Sequence, residues 1–281
     1  MVGNSGMIKS STDGVTWVDH TSATITTNLN NVAGNGTIYV VTGANGLIYS
    51  STDLVTWTNR VPTGDIATTY NELLWNGTQF LAIVGYYYLA NPFTMGSFVS
   101  TSSDGINWTT TNLGSLILYI YGSTIWDGTK YLFKTPWTTA TIPYTMKSST
   151  DGITWGNPTY VIDDTSTTLD SGDYIQGIEF FKGKYYALVE NTAITDTYVL
   201  MSSDLVAWTR TLNTGKGGPS NIKATADRLC IAGMFPTNCT ADGITWKNYA
   251  DSNFGTIRAA IGSLNSILSR NGTSMQVNTA P

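Results

Sequence analysis

One short segment recurs six times along the chain and constrains its fold more than any other feature. In every copy an Asp stands four residues before a Trp, and small or hydroxyl-bearing residues precede the Asp. The six pairs are Asp13 and Trp17, Asp53 and Trp57, Asp104 and Trp108, Asp151 and Trp155, Asp204 and Trp208, and Asp242 and Trp246. Successive Trp residues are 38 to 53 residues apart. This spacing is typical of a repeated supersecondary unit that buries its core by stacking on its neighbours.

A second, weaker repeat precedes each Trp. It places Asn-Gly, Asp-Gly or Lys-Gly between two apolar runs, as at Asn35, Asn76, Asp127 and Lys182. Such dipeptides favour tight type I′ hairpins, which need positive φ at both central residues. Another turn follows, at Ala44-Asn45 in the first full unit, and leads into the Asp–Trp segment. The sequence of each unit therefore predicts four short antiparallel strands, named A to D. It predicts almost no helix, because apolar residues do not recur with a 3.6-residue period over any length that would form one.

The repeated sheets predict a ring. A single four-stranded sheet leaves two edges unpaired and both faces uncovered, so the sheets must stack. Such units arranged in a ring form a β-propeller. We predict an all-β, six-bladed β-propeller of four-stranded antiparallel blades, with residues 1–281 as a single domain.

The two ends of the chain predict how this ring closes. The chain begins inside one unit and ends with strands A and B of another. We therefore expect about residues 1–20 and 251–281 to share a seam blade. Residues 273–279 fit this scheme less well, because they look like a further strand C that would compete with residues 7–11. They could instead form an extra edge strand or lead into a partner.

Composition excludes several classes of partner. Only 12% of the residues are charged, and the net charge is −5. An acidic chain lacks the basic stripes that grip nucleic acid and is disfavoured at an anionic membrane surface. No apolar run approaches the roughly 18 residues of a membrane span. The N-terminus also lacks the charged and apolar regions of a signal peptide. We expect no nucleic-acid partner, no membrane insertion and no signal peptide.

The repeated segment resembles a known element. Ser-x-Asp-Gly-x-x-Trp resembles the Asp-box of sialidases and related propellers, although its loop is one residue shorter and Leu54 and Leu205 replace Gly in two copies. The whole unit is similar to Asp-box-like repeats of bacterial and phage proteins, many of them in tail fibres and other virion parts. The resemblance implies a propeller in which the six Asp and six Trp are structural. An Asp at the head of a turn accepts backbone N–H bonds, and a Trp can pack between blades.

Few residues suit catalysis. A sialidase-like site needs three arginines, and only Arg258 of the five arginines lies on a predicted inner strand. Glu179 lies in strand A, and with an Asp of the 163–173 loop it could supply the two carboxylates of a glycosidase. The single histidine, His20, follows the first strand D and is interpreted as a rim residue. We predict a protein that is not an enzyme, with no catalytic residues. A sialidase-like glycoside hydrolase is the alternative.

Binding is expected on one face of the ring. The connections from B to C and from D to the next A, such as 85–97 and 157–174, share a face and carry nearly all the length variation. Variable loops on a rigid scaffold are where binding usually resides. The candidate ligand-binding residues are the aromatics of this face, which suit stacking on sugars or packing against a subunit, unless several only cap the core. They are Tyr86, Tyr87, Tyr88, Phe93, Trp137, Tyr144, Tyr160 and Tyr174.

One of these loops is acidic. Asp163, Asp164, Asp170 and Asp173 could hold Ca²⁺, although their spacing matches no EF-hand and a solvated loop is the alternative. We expect no other cofactor.

The only two cysteines fall in the fifth unit. Cys230 and Cys239 lie on predicted strands B and C, where they would face each other across the sheet. An oxidising setting would allow a disulfide. We expect two buried free thiols instead.

These observations lead to a functional hypothesis. The chain is expected to be a non-enzymatic propeller on a virion or cell surface, released from the cell by lysis. It would bind a glycan receptor or another virion protein through its loop-rich face. A capsid or tail decoration protein without a ligand is an alternative.

Overall fold

The structure is a computed structural model. It describes residues 1–11, 16–62, 69–89, 94–113, 124–134, 145–161, 173–191, 196–213, 219–224, 227–233, 237–249, 256–260, 266–271 and 274–279. Within these ranges the only helical element is a three-residue 3-10 turn, Asn4–Gly6. The described part of the chain is thus almost entirely β, as predicted.

The strands form seven antiparallel sheets in chain order. A two-stranded N-terminal sheet pairs β1 (Lys9–Ser10) with β2 (Val18–Asp19). Five four-stranded sheets follow, each with its strands in sequence order. The first two are β3 (Leu29–Gly34), β4 (Tyr39–Gly43), β5 (Ile48–Ser51) and β6 (Thr58–Asn59), then β7 (Glu72–Trp75), β8 (Phe80–Leu89), β9 (Thr94–Ser102) and β10 (Thr109–Asn112).

The other sheets repeat this arrangement. The next three are β11 (Thr124–Trp126), β12 (Tyr131–Lys134), β13 (Thr145–Ser149) and β14 (Gly156–Val161); β15 (Asp173–Phe181), β16 (Lys184–Asn191), β17 (Asp196–Ser202) and β18 (Thr209–Asn213); and β19 (Pro219–Ala224), β20 (Leu229–Gly233), β21 (Thr237–Thr240) and β22 (Trp246–Tyr249). A three-stranded sheet of β23 (Thr256–Ala260), β24 (Ser266–Asn271) and β25 (Ser274–Thr279) comes last. The predicted four-stranded antiparallel unit is confirmed in five copies.

Neighbouring sheets meet through their first strands. β3 packs beside β7, β11 beside β15, β15 beside β19, and β19 beside β23. The first strands of these sheets therefore lie beside the first strands of their neighbours, and they are called inner strands here. This is the stacking that four-stranded sheets need to cover their faces.

The turns that carry the repeated Asp, called box turns here, have one geometry in all five copies that the structure describes. Oδ1 of the Asp accepts the backbone N–H of the second and third residues after it, at 2.7–2.9 Å. The hydroxyl two residues before the Asp donates to the same oxygen at 2.8–3.1 Å. These copies are centred on Asp53, Asp104, Asp151, Asp204 and Asp242; Asp13 lies outside the described residues. Each carboxylate is therefore occupied by its own turn.

The residue after the Asp lies in the left-handed region and contacts the preceding sheet. Its φ is between 63° and 81° in the five described copies. A Cβ at Gly243 would lie 1.8 Å from the Tyr186 hydroxyl, and one at Gly152 would lie 2.7 Å from Leu81. Leu205 occupies the same position, is 1% exposed and packs in a cluster with Leu132. Burial of its side chain offsets the backbone cost of a left-handed Leu.

Hydrogen bonds also join the turns of neighbouring sheets. The Gln79 side chain, in the turn between β7 and β8, donates to the carbonyl of Asp151 at 2.8 Å. Lys182, between β15 and β16, donates to the carbonyl of Ala241 at 2.7 Å. The A–B turn of one sheet therefore lies beside the box turn of the next, at the same end of the sheets. The other connections lie at the opposite end.

The Trp residues of the boxes contribute to the core between sheets. Trp208 is 1% exposed and packs in the cluster that holds Leu132 of the preceding sheet. Trp246 packs in the cluster that holds Tyr186. The indole N–H of Trp57, Trp155 and Trp208 donates to the carbonyl of the left-handed residue of its own turn. Turn and core are thus joined by one side chain.

Three of the predicted tight hairpins are longer than expected. At Asn35, Asn76 and Asp127 only the following Gly has positive φ, and four residues separate the strands. The side-chain oxygen of Asn35 accepts the N–H of Thr37 and of Ile38, which fixes the loop without a left-handed Asn. The type I′ prediction is wrong at these turns. It fits the turn of Lys182 and Gly183, where both φ values are positive.

The second unit lacks the long B–C loop expected at 85–97. β8 continues to Leu89 and β9 begins at Thr94, so only 90–93 separate the strands. Tyr87 pairs with Gly96 and Tyr88 with Met95, after a shift in register beyond Val84. The tyrosines and β-branched residues favour extended backbone strongly enough to continue the hairpin past its neighbours.

The chain ends do not pair with each other among the described strands. β25 pairs with β24, so residues 274–279 take the position of strand C in the last sheet. The N-terminal segment contacts the next sheet in the same way as the corresponding part of the following repeat. The Leu29 N–H donates to the Gly3 carbonyl, and the equivalent Tyr70 N–H donates to the Gly43 carbonyl. The shared seam blade stays a prediction.

The expectation of free cysteines is wrong. Cys230 on β20 and Cys239 on β21 are directly paired in the register, and a disulfide joins them. The predicted facing of the two residues is confirmed. The sequence showed their register but contained no information on the redox state.

The box hydrogen bonds lower the pKa values of the carboxyl groups. The N–H groups of Thr56 and Val55 and the Ser51 hydroxyl lower the pKa of Asp53. Burial acts to raise the pKa of Asp151, but the N–H groups of its turn outweigh burial and lower that pKa to about 2. The pKa values of Asp104, Asp204 and Asp242 are lowered in the same way.

We predict that acid destabilises the protein through these turns. The unfolded chain takes up protons near the ordinary Asp pKa of 3.8, before the folded turns do, so this stability is present above that pKa and is lost as pH falls toward about 2. Urea unfolding at a series of pH values measures the loss. Asp151→Asn keeps an acceptor oxygen but cannot titrate, so its stability should fall less steeply over this range. Parallel pH profiles for the two proteins would contradict the assignment.

Candidate functional site

The topology brings part of the predicted ligand set to one end of three consecutive sheets. Tyr86, Tyr87 and Tyr88 lie near the end of β8, Tyr160 near the end of β14 and Tyr174 near the start of β15. In this strand order, B strands end, D strands end and A strands begin at the same face. Phe93, Trp137 and Tyr144 lie outside the described residues. The loop-rich face is therefore the place where these tyrosines converge.

The predicted calcium loop is mostly outside the described residues. Asp163, Asp164 and Asp170 fall in 162–172, and Asp173 is the first residue of β15, paired with Asn191. Across the ranges that the structure describes, no group of three or more metal-ligating side chains occurs. A calcium site at this loop stays a prediction.

Three charged residues, Glu72, Glu179 and Lys223, lie on the first strands of three sheets. The Lys223 ammonium on β19 contacts Glu179 Oε1 on β15 at 2.7 Å. Glu72 on β7 is buried, and its carboxylate accepts the backbone N–H of Thr124 on β11 at 3.1 Å. Neither Glu72 nor Lys223 was among the predicted site residues. The only sequence signal was a charged residue within a predicted inner strand.

Lys223 links the two carboxylates electrostatically. Burial acts to lower the pKa of Lys223, but the carboxylates of Glu179 and Glu72 outweigh burial and raise that pKa above its usual value. Glu72 and Lys223 belong to sheets that are three apart in chain order. Their interaction places the Glu72 and Lys223 side chains within electrostatic range of each other, while burial raises the pKa of Glu179 against the lowering effect of Lys223.

This arrangement restricts the glycosidase alternative. Glu179 is paired with Lys223 at 2.7 Å. Asp173 lies six residues away on the same strand, which places the two backbones about 20 Å apart. The two carboxylates of a glycosidase are about 5 to 9.5 Å apart. Asp173 therefore cannot be the partner of Glu179.

The rim side chains have structural partners. Arg60 donates from Nε to Ser50 Oγ at 3.0 Å, and the Arg210 guanidinium stacks on Tyr198 at 3.6 Å from the ring centre. His20 Nε2 lies 2.8 Å from Ser10 Oγ. Ser10 and His20 occupy the repeat positions of Ser50 and Arg60, so this contact is one copy of a repeated cross-strand bond and not a catalytic pair. Arg258 lies on inner strand β23.

We predict that the Lys223 and Glu179 charges are coupled. Lys223→Met should leave a carboxylate that is only 13% exposed without its partner and cost about 1–3 kcal/mol in urea unfolding. The double variant Lys223→Met with Glu179→Gln should recover part of that loss, because no charge is then stranded. Additive losses in the double-mutant cycle would contradict the pairing.

Solved structures share the overall fold. The acylaminoacyl peptidase of Pyrococcus horikoshii matches 93% of this chain with a TM-score of 0.61 at 10% identity, over 44% of its own length. A GH74 xyloglucanase from Xanthomonas campestris matches 99% with a TM-score of 0.58 at 11% identity, over 44% of its length. The WD40 β-propeller domain of Doa1 matches 98% with a TM-score of 0.56 at 12% identity, over 86% of its length.

These likenesses support a β-propeller fold and nothing finer. The chain spans less than half the length of the peptidase and of the xyloglucanase. No protein-family profile matches the sequence, and no curated protein is significantly similar to it. In the described ranges, no helix is long and apolar enough to cross a membrane.

Proposed function

We propose that the chain is a non-enzymatic, six-bladed β-propeller of the Asp-box type that binds through its loop-rich face. Its ligand is a glycan or another protein of the same assembly, on a virion or cell surface. The observation that carries the proposal is the convergence of Tyr86, Tyr87, Tyr88, Tyr160 and Tyr174 at one end of three neighbouring sheets. Tyrosine rings combine a flat apolar surface with a polar hydroxyl, which suits stacking on sugars.

The rest of the described chain supports a scaffold role. The five described box carboxylates accept hydrogen bonds within their own turns, and Glu179 forms an ion pair with Lys223. The Glu72–Lys223 interaction favours inner strands arranged around one axis. In this proposal the ring closes when residues 1–20 and 251–281 share the sixth blade.

The net charge of the chain narrows the ligand class. It is −5, and on the described inner strands Glu72 and Glu179 are set only against Lys223 and Arg258. Like charges repel an anion in a partly desolvated site. We therefore propose a neutral glycan in preference to a sialylated one.

A glycan array tests this function. The purified chain should retain signal on neutral glycans without releasing sugar. Tyr87→Ala and Trp137→Ala should each lower retention about tenfold or more, as expected for an aromatic anchor. Tyr39→Ala is the matched control. Tyr39 is an exposed tyrosine at the start of β4, at the end of the sheets away from the loop-rich face.

Other outcomes of the array separate the alternatives. Dependence on calcium would place the ligand at Asp163, Asp164, Asp170 and Asp173. Released sugar would contradict the non-enzymatic assignment. A blank array would contradict the glycan and leave a protein neighbour, as in a decoration subunit. Equal losses for all three variants would contradict a site on the loop-rich face.

A further inference from the structure

The disulfide lies at a position where the fold does not require one. Cys230 and Cys239 are opposite each other on strands B and C of their sheet. In the other four-stranded sheets the same rung holds other pairs. These are Val40 with Ser50, Leu81 with Thr101, Leu132 with Ser148, and Tyr186 with Met201. The repeat therefore folds around this rung without a covalent bond.

Both sulfur-bearing residues are sealed in the sheet. Cys230 is 5% exposed and Cys239 is 3% exposed. On the opposite face of the same strands, Leu229 and Ile231 are completely buried and Thr240 is 2% exposed, so both faces of this part of the sheet are covered. Thiol–disulfide exchange requires a thiolate to reach one sulfur of the bond directly. In the folded protein that approach is blocked until the sheet face that carries the two sulfurs is uncovered.

We propose that the Cys230–Cys239 bond forms while the chain folds and that folding then locks the redox state of the pair. The two thiols react with a small external disulfide, such as oxidised glutathione. Two S–H bonds and one S–S bond are lost, one protein S–S bond forms, and two small thiols leave with the protons. The protein sulfurs are oxidised and the small disulfide is reduced, so the step balances.

As a consequence, the redox state of the cysteine pair reflects the compartment in which the chain folded. If the chain folds in a reducing medium, the two thiols become buried and stay reduced after release into an oxidising medium. If the chain folds while an oxidant is available, the disulfide becomes buried and stays intact in a reducing medium. This inference stands apart from the proposed binding function, because neither Cys lies at the loop-rich end among the predicted ligand residues.

Alkylation of the folded protein tests the lock. The oxidised protein is incubated with dithiothreitol, sampled into iodoacetamide and weighed by mass spectrometry, with and without urea. Labelling should be at least about a hundredfold slower in the folded state, which reflects the rarity of sheet opening. In urea both cysteines should be labelled. Labelling of the folded protein within about tenfold of the urea rate would overturn the proposal.

The reverse experiment uses protein refolded in dithiothreitol and then transferred to oxidised glutathione. The folded protein should keep two thiols and melt about 5 °C below the oxidised form, given the short loop that the bond closes. Rapid bond formation in the folded protein would overturn the lock. Cys230→Val with Cys239→Ser copies the Val40–Ser50 pair and is the control: it should fold in either medium and take no label. If the reduced chain failed to fold while this variant folded, the claim that both redox states can be sealed would fall.

Discussion

A single carboxylate oxygen organises each repeat. Oδ1 of the box Asp accepts two backbone N–H groups and one hydroxyl, and so holds a turn whose next residue adopts a left-handed conformation. That residue contacts strand B of the preceding sheet: Gly152 meets Leu81 and Gly243 meets Tyr186. A local polar interaction is thereby converted into contact between sheets. Since five consecutive repeats share it, the stacking of the whole array depends on it.

The turns that join neighbouring sheets and the connections expected to bind a ligand lie at opposite ends of the sheets. Box turns and A–B turns join neighbouring sheets at one end, as in the bond from the Gln79 side chain to the Asp151 carbonyl. The opposite end holds the connections that differ in length and the tyrosines of β8, β14 and β15. A rigid array with variable connections at one end is a scaffold on which binding surfaces can change without loss of the fold.

The sequence was sufficient for the repeated four-stranded unit, but not for the turn type at Asn35, Asn76 and Asp127 or for features that occur in a single copy. Six Asp–Trp pairs predicted the four-stranded unit, and the register of Cys230 with Cys239 followed from counting. The extension of β8 through Tyr86 to Leu89 was missed because Gly85, Asn91 and Pro92 read as turn signals. The contact of Lys223 with Glu179 was missed because it joins different sheets, and strand register within a unit does not reveal spacing between units. The disulfide was missed because oxidation is a property of the environment.

Native-state hydrogen exchange of the box amides tests the central claim most directly. Ile106 and Val206 have side chains that are 42% and 63% exposed, yet their N–H groups donate to Asp104 and Asp204. If the carboxylates organise the array, these amides and their equivalents in all five described boxes should exchange at least about a hundredfold more slowly than in an unstructured peptide. Exchange at the unstructured rate would contradict the account, because exposed turns without a carboxylate lock would behave in that way.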